Sequence, residues 1–250
     1  DGVGAFNILK RASGSDQAEY IQGLKNQIDR LPSGSAEKAE LIAYERQVRD
    51  RLLVNLLNTN SQKIAKAQEN PIIKGLRRVL HVVPDNLSQT DVFRSNIKRL
   101  SGSGLTFDIC VQARQLFLAK ELVDCCPEVT FVLDHCGVPD IKAGDINDWK
   151  LEITELSKRK NLLVKISGII AYGDSNTWSL DDIKPYFEHA VSAFGFERII
   201  WGSDSPVCNL GGGIETWVAA TYAITSSWTI EERQALLCDN ALKLWGLTRY

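Results

Sequence analysis

From about residue 70 onward the chain alternates short apolar runs with longer amphipathic stretches. Residues 76–83 read as a strand ended by Pro84, which has no N–H to give a sheet. Residues 105–111, 129–134, 162–167 and 198–202 read as four more. Apolar positions at helical intervals predict helices over residues 88–100, 115–125, 147–158 and 181–194. In the first of these, Ser88 is placed as N-cap with Asp91 at the third position, and Gly102 follows the end. A last helix starts at Thr229, whose hydroxyl and Glu232 form a capping box ahead of Leu236, Leu237, Leu242 and Leu244.

Strands that are apolar on both faces and alternate with helices indicate a parallel sheet covered on both sides. A doubly wound open sheet and a closed barrel both meet that description. No G-x-G-x-x-G or G-x-x-x-x-G-K-[ST] turn follows a strand, which weakens the nucleotide-binding open sheet. The first seventy residues differ. Residues 4–9 make a weak strand, 17–31 a helix, and Pro32-Ser33-Gly34-Ser35 a break. Residues 36–58 then carry Leu41, Tyr44, Val48, Leu52 and Leu56 at helical spacing, which predicts a helix with one buried stripe. These strands are too few to close an eight-stranded barrel.

Length and composition narrow the class. A chain of 250 residues is the usual size of one (β/α)₈ barrel, so a single domain over residues 1–250 is expected. A formal net charge of −2 with scattered Lys and Arg argues against a nucleic-acid footprint. No apolar run reaches membrane-spanning length and no signal peptide is recognised, so a cytoplasmic protein is expected. The six cysteines form no C-x-x-C pair and several lie in apolar runs, which reads as reduced, buried thiols. The chain holds no methionine and opens on Asp1-Gly2-Val3, so its first residues are not taken as a natural start.

In a parallel barrel, polar residues where a strand gives way to its loop are the natural site candidates. The first strand carries Arg77, Arg78 and His81; the second runs into Gln112-Ala113-Arg114-Gln115. The third ends in Asp134-His135-Cys136-Gly137 and the last in Ser203-Asp204-Ser205-Pro206, while Lys165 lies inside an apolar run before Ser167-Gly168. Singly, each has a plainer reading: Asp204 as a turn or helix cap, His135 as a core histidine, Arg77 as a solvated cation, Lys165 as a snorkelling side chain. Together they follow the carboxyl ends of parallel strands and converge on one rim. The chemistry suggested is hydrolysis, with Asp204 as general base toward water. His135, Arg77, Arg114 and Lys165 would bind an anionic substrate and steady an oxyanion. His189 falls in a helical stretch and is read as structural.

Several motifs match one pattern in order: Gly75-Leu76-Arg77, Phe107-Asp108, Ala113-Arg114-Gln115-Leu116, Leu133-Asp134-His135-Cys136-Gly137, Lys165-Ile166-Ser167-Gly168, Gly202-Ser203-Asp204-Ser205-Pro206 and Asn240-Ala241. Over residues 70–247 the chain resembles the amidohydrolase-related family that contains 2-pyrone-4,6-dicarboxylate hydrolase and the sugar-acid lactonases. That resemblance implies a (β/α)₈ TIM-like barrel that opens small lactone rings with water. It implies that Asp204 activates the water, His135 contacts the substrate carbonyl, and Arg77 belongs to an anion-binding set with His81, Arg114 and Lys165. It also implies a site that works without a cofactor, with a single divalent metal such as zinc as the alternative.

One family feature is missing: no H-x-H pair occurs, the three histidines being His81, His135 and His189. Either the first barrel strand is absent from the chain or half the site has been lost. Lactone hydrolysis on a small anionic or sugar-acid substrate is therefore the leading expectation, with no nucleic-acid or membrane partner and a homo-oligomer left open. Lactone isomerisation, metal-dependent decarboxylation and a non-catalytic barrel are the alternatives.

Overall fold

The five apolar runs form five parallel strands in a computed structural model that describes residues 14–144, 146–174 and 177–248. The strands are β1 (Gly75–Val79), β2 (Thr106–Cys110), β3 (Phe131–Leu133), β4 (Leu162–Ile166) and β5 (Ile199–Trp201). They lie side by side in chain order, each paired in parallel with the next. Helices α3 (Asp91–Lys98), α4 (Leu116–Cys125), α5 (Asn147–Ser157) and α6 (Leu180–Phe194) separate them. After β5 come α7 (Gly213–Ile224), α8 (Ile230–Gln234) and α9 (Asn240–Trp245). This is the α/β repeat expected, as five strands of a barrel among the described residues.

By contacts the chain divides into two units, Asp1–Lys63 and Ile64–Tyr250, where one domain was expected from length. In the described part of the first unit, α1 (Gly14–Arg30) is followed by most of α2 (Ala36–Glu69). Ser35 Oγ accepts the Lys38 N–H at 3.2 Å, an N-cap that starts α2 where the Pro-Ser-Gly-Ser break ends. Leu24 and Val48 are buried, and the Tyr20 and Tyr44 hydroxyls meet at 3.3 Å. The helix expected over 36–58 is present and longer. Of its stripe, Leu41 is partly buried and Val48 buried, while the side chains of Leu52 and Leu56 lie outside the described residues. So does the weak strand expected at 4–9.

The core of the second unit sits on the strands. Phe131, Leu133, Leu162, Val164, Ile166 and Ile199 have no exposed surface. Phe93, Phe107 and Phe131 form an edge-to-face series with centroids 6.1 and 6.2 Å apart. Every strand passes into a 3₁₀ turn at or soon after its carboxyl end. The first strand was expected to reach Val83, but it stops at Val79 and Leu80–Val82 coil into such a turn. Burial explains the difference: of residues 80–83 only Leu80 is buried, so an apolar run here is not a strand. Ser88 does not cap α3. Thr90 does, accepting the Phe93 N–H at 3.3 Å. The capping box of Thr229 and Glu232 forms as expected. Its helix passes through a π-helical turn at Ala235–Asp239 before α9.

Candidate active site

Parallel pairing puts the carboxyl ends of all five strands at one edge of the sheet, and the polar residues of the motifs gather there. Arg77 is register partner of Asp108 across β1 and β2, and Lys165 of Ile200 across β4 and β5. Lys165 Nζ donates to Asp108 Oδ2 and to Asp134 Oδ1, each at 2.6 Å. Arg77 reaches Asp134 Oδ2 at 3.4 Å. Asp134 is wholly buried and holds a cation on each oxygen. Burial pushes the Asp108 carboxyl up, against the pull of the Lys165 ammonium. Burial works to lower the pKa of Lys165, but Asp134 and Asp108 outweigh it and hold it above the usual lysine value.

A second group lies next to this one. His135 Nε2 is 3.6 Å from Asp204 Oδ1, and both side chains are largely buried. His135 Nδ1 and Ser167 Oγ are 2.8 Å apart, and Tyr172 covers the imidazole with ring centroids 6.4 Å apart. Asp204 Oδ2 is buried and has no hydrogen-bond partner among the described residues. Burial lowers the His135 pKa and raises that of Asp204, so each is biased toward its neutral form.

The backbone carries strain at these same positions. Four non-glycine residues with positive φ occur among the described residues: His135 (54°), Cys136 (53°), Val138 (43°) and Asp204 (54°). A β-branched valine there is costly, and such strain persists where the surroundings over-determine the chain. Three tryptophan indoles supply part of that hold. Trp149 Nε1 donates to the Cys136 carbonyl at 2.9 Å, Trp217 Nε1 to that of Gly202 at 2.9 Å, and Trp201 Nε1 to Thr221 Oγ1 at 2.9 Å. Asn240, the closing motif residue, donates to the carbonyls of Phe196 and Ile199 at 2.7 Å each and so ties the start of β5.

Of the residues expected in the site, Asp204, His135, Arg77 and Lys165 fall in these two adjoining groups. Arg114 stands apart from them, and His81 borders them through Cys110, whose thiol lies near Asp134 and His135. His81 Nδ1 is 3.8 Å from Cys110 Sγ. Arg114 is more than half exposed and pairs with Asp85 at 2.7 Å. It also lines a cavity of about 310 Å³ with Gln112, Val138, Asp140 and Tyr172, on the loops that follow β2, β3 and β4. Sequence reasoning gave no role to Asp108, Asp134, Cys110, Ser167 or Tyr172. Asp134 and Asp108 had a readable signal, since each is a carboxylate within or ending an apolar strand run. Ser167 stood in the Lys165-Ile166-Ser167-Gly168 motif without a role, and Tyr172 had no signal. His189, read as structural, bonds near Thr154 and Lys150 away from the site.

Gly168, at φ +68°, lies against the pair: a Cβ there would stand 2.6 Å from Asp204 Oδ2 and 3.0 Å from His135 Nδ1. Gly168→Ala is expected to cut activity and to cost about 1–2 kcal/mol from the left-handed backbone. Gly102→Ala, also at positive φ but with nothing within 4 Å, is expected to show the backbone cost alone. Thermal melts and initial rates of the two variants check this.

Comparison with known proteins places the architecture. The amidohydrolase family profile matches residues 21–247. An L-fucono-1,5-lactonase of Burkholderia ambifaria is 29% identical over 161 residues, 64% of this chain and 55% of that protein. A crystal structure of an amidohydrolase from Burkholderia multivorans with bound zinc superposes with a TM-score of 0.67 at 24% identity, over 70% of this chain and 65% of that one. A putative 2-pyrone-4,6-dicarboxylic acid hydrolase from Pseudomonas putida superposes with a TM-score of 0.58 at 26% identity, covering 71% and 64%. The chain spans about half the length of the curated relatives it matches. No helix among the described residues is long and apolar enough to cross a membrane.

The expectation of a site without a cofactor is corrected. Donor atoms of Cys110, Asp134 and His135, all buried, lie within 4.8 Å of one another, and the superposed Burkholderia amidohydrolase was crystallised with zinc. Thiol, carboxylate and imidazole together are a zinc-type donor set, one that sequence reasoning overlooked because the cysteines form no C-x-x-C. With its profile match over 227 residues, its parallel β/α order and its strand-end motifs, the chain belongs to the amidohydrolase family, on the (β/α)₈-barrel fold.

Proposed function

We propose that this chain carries the hydrolytic site of a lactonase, in which Asp204 activates water against the ring carbonyl of a small sugar-acid lactone. The observation that carries the reading is the state of Asp204. One oxygen faces His135 at 3.6 Å, and the other is buried with no hydrogen-bond partner among the described residues, beside a strained backbone. A carboxylate left free in this way, its pKa raised by burial, is suited to take a proton from water. The water oxygen attacks the carbonyl carbon, and His135, where it holds no metal, steadies the oxyanion. The ring C–O bond then breaks as Asp204 returns the proton to the departing ring oxygen. The four strained residues also support a working site over a non-catalytic barrel, since such strain concentrates where function requires it.

Cys110, Asp134 and His135 would hold a divalent metal, zinc by donor type, and the unpartnered Asp204 oxygen beside them fits the same reading. When bound, zinc supplies Lewis acidity toward a carbonyl oxygen. Burial pushes the Cys110 thiol up to about 12, so it would have to give up its proton to serve as a ligand. Cys110→Ser is expected to weaken zinc binding by at least about tenfold in a calorimetric titration. Unchanged affinity would remove Cys110 from the ligand set.

Charge pairing narrows the substrate. Arg77, Lys165 and Arg114 are each already matched by Asp134, Asp108 or Asp85. That balance favours an uncharged polyhydroxy lactone over a dicarboxylate, and the named relative is a sugar-acid lactonase. Hydrolysis rates on aldonolactones and on a pyrone dicarboxylate test the reading. Turnover of the dicarboxylate alone would overturn the substrate class, and turnover of neither would overturn hydrolysis. All six cysteines are free thiols, which supports a reducing, cytoplasmic setting.

A further inference from the structure

The junction between α4 and β3 brings two thiols into direct contact, at the end of the sheet opposite the candidate active site. Cys125 is the last residue of α4 and Cys126 its C-cap. Their sulfurs are 3.3 Å apart. Cys125 is partly exposed, whereas Cys126 is 2% exposed. Each thiol also donates to a carbonyl, Cys125 to Leu122 at 3.2 Å and Cys126 to Arg94 at 3.9 Å. No other cysteine pair makes such a contact among the described residues. Neither residue takes part in the proposed reaction.

A disulfide is not the natural use of this pair. Adjacent Cα atoms are about 3.8 Å apart, short of the roughly 4.4–6.8 Å that disulfides span. A bridging atom relieves that constraint. An atom bonded at about 2.3 Å to each sulfur, the zinc–thiolate length, would see the two at an angle of about 92° across the observed gap. That is narrow for a tetrahedral ion and close to the right angle of a pyramidal p-block centre.

We propose that Cys125 and Cys126 form a chelating dithiol site for trivalent arsenicals. Both thiols react as S–H groups: an arsenic(III) oxide R–As=O and two thiols give the cyclic R–As(S–Cys)₂ and one water. Two As–S bonds form, the As=O bond is lost to water with the two thiol protons, and no oxidant or reductant is needed. Burial and the neighbouring thiol push Cys126 up to about 12, which keeps it protonated until arsenic displaces the proton. The arsenical meets the more exposed Cys125 first and closes the ring onto Cys126.

Phenylarsine oxide added to the intact protein, followed by intact mass measurement, tests this. The expected result is one phenylarsenic group per chain that withstands a large excess of a monothiol and is stripped by a dithiol. Cys125→Ser and Cys126→Ser should each abolish the monothiol-resistant adduct, while Cys110→Ser should leave it in place. Cys125 is partly exposed, so its variant should fold even if the Cys126 variant does not, and circular dichroism verifies this. A resistant adduct that persists in folded Cys125→Ser, or none on the wild type, would overturn the site.

Discussion

Replacing Asp204 by Asn is expected to lower kcat by about 10²–10⁴-fold, the usual worth of a positioned general base. The substitution is nearly isosteric, and its backbone position makes it a clean one. Asp204 lies at φ +54°, in the left-handed region that Asn adopts more readily than most residues. The fold, anchored there by the Cys208 N–H on the Asp204 carbonyl at 2.9 Å, should therefore survive. The plainer reading of Asp204 as a turn cap makes the opposite forecast, because Asn caps about as well. Substrate binding should persist, so the loss should appear in kcat rather than in KM. Single-turnover rates of the two proteins on one aldonolactone decide between them, and equal rates would remove Asp204 from the mechanism.

The second large effect concerns stability. Lys165→Met should destabilise the fold by about 3–5 kcal/mol, because it strips the ammonium shared by Asp108 and Asp134 and leaves two buried carboxylates facing one another. Lys165 and Asp108 are each less than a fifth exposed and Asp134 is wholly buried, so solvent screens this little. Arg77, half exposed and 3.4 Å from Asp134, cannot replace it. Adding Asp108→Asn to Lys165→Met should restore part of the loss, since it removes one of the unpaired charges. Denaturant midpoints for the single and double variants measure both effects. A change below 1 kcal/mol for Lys165→Met would show that the lysine merely snorkels.

The five strands and four intervening helices were legible because burial on a parallel sheet leaves a local record. Runs such as Phe131-Val132-Leu133 must be apolar on both faces, and α6 must repeat its apolar residues every three to four positions. Helix ends were readable where the cap was a local hydrogen bond, as at Thr229, and misread where two hydroxyls competed, as at Ser88 and Thr90. Strand length at β1 was misjudged because hydropathy alone cannot tell Leu80, which is buried, from Val82, which is 70% exposed.

For the site, the sequence by itself marked polar side chains in or just after the strands: Arg77, His81, Arg114, His135, Lys165 and Asp204. The tertiary structure alone decided what they meet. Lys165 finds Asp108 and Arg77 finds Asp134, each across 57 residues, and His135 finds Asp204 from two strands away. Such partners are set by strand register and by a shared buried volume, which leave no trace in local periodicity. The cations that motif reasoning assigned to an anionic substrate prove to be matched within the protein, and Cys110 becomes a donor only because β2 and β3 run side by side. Local pattern encodes each residue's place along its strand; only the parallel pairing of the strands brings the charges together and fixes what they can bind.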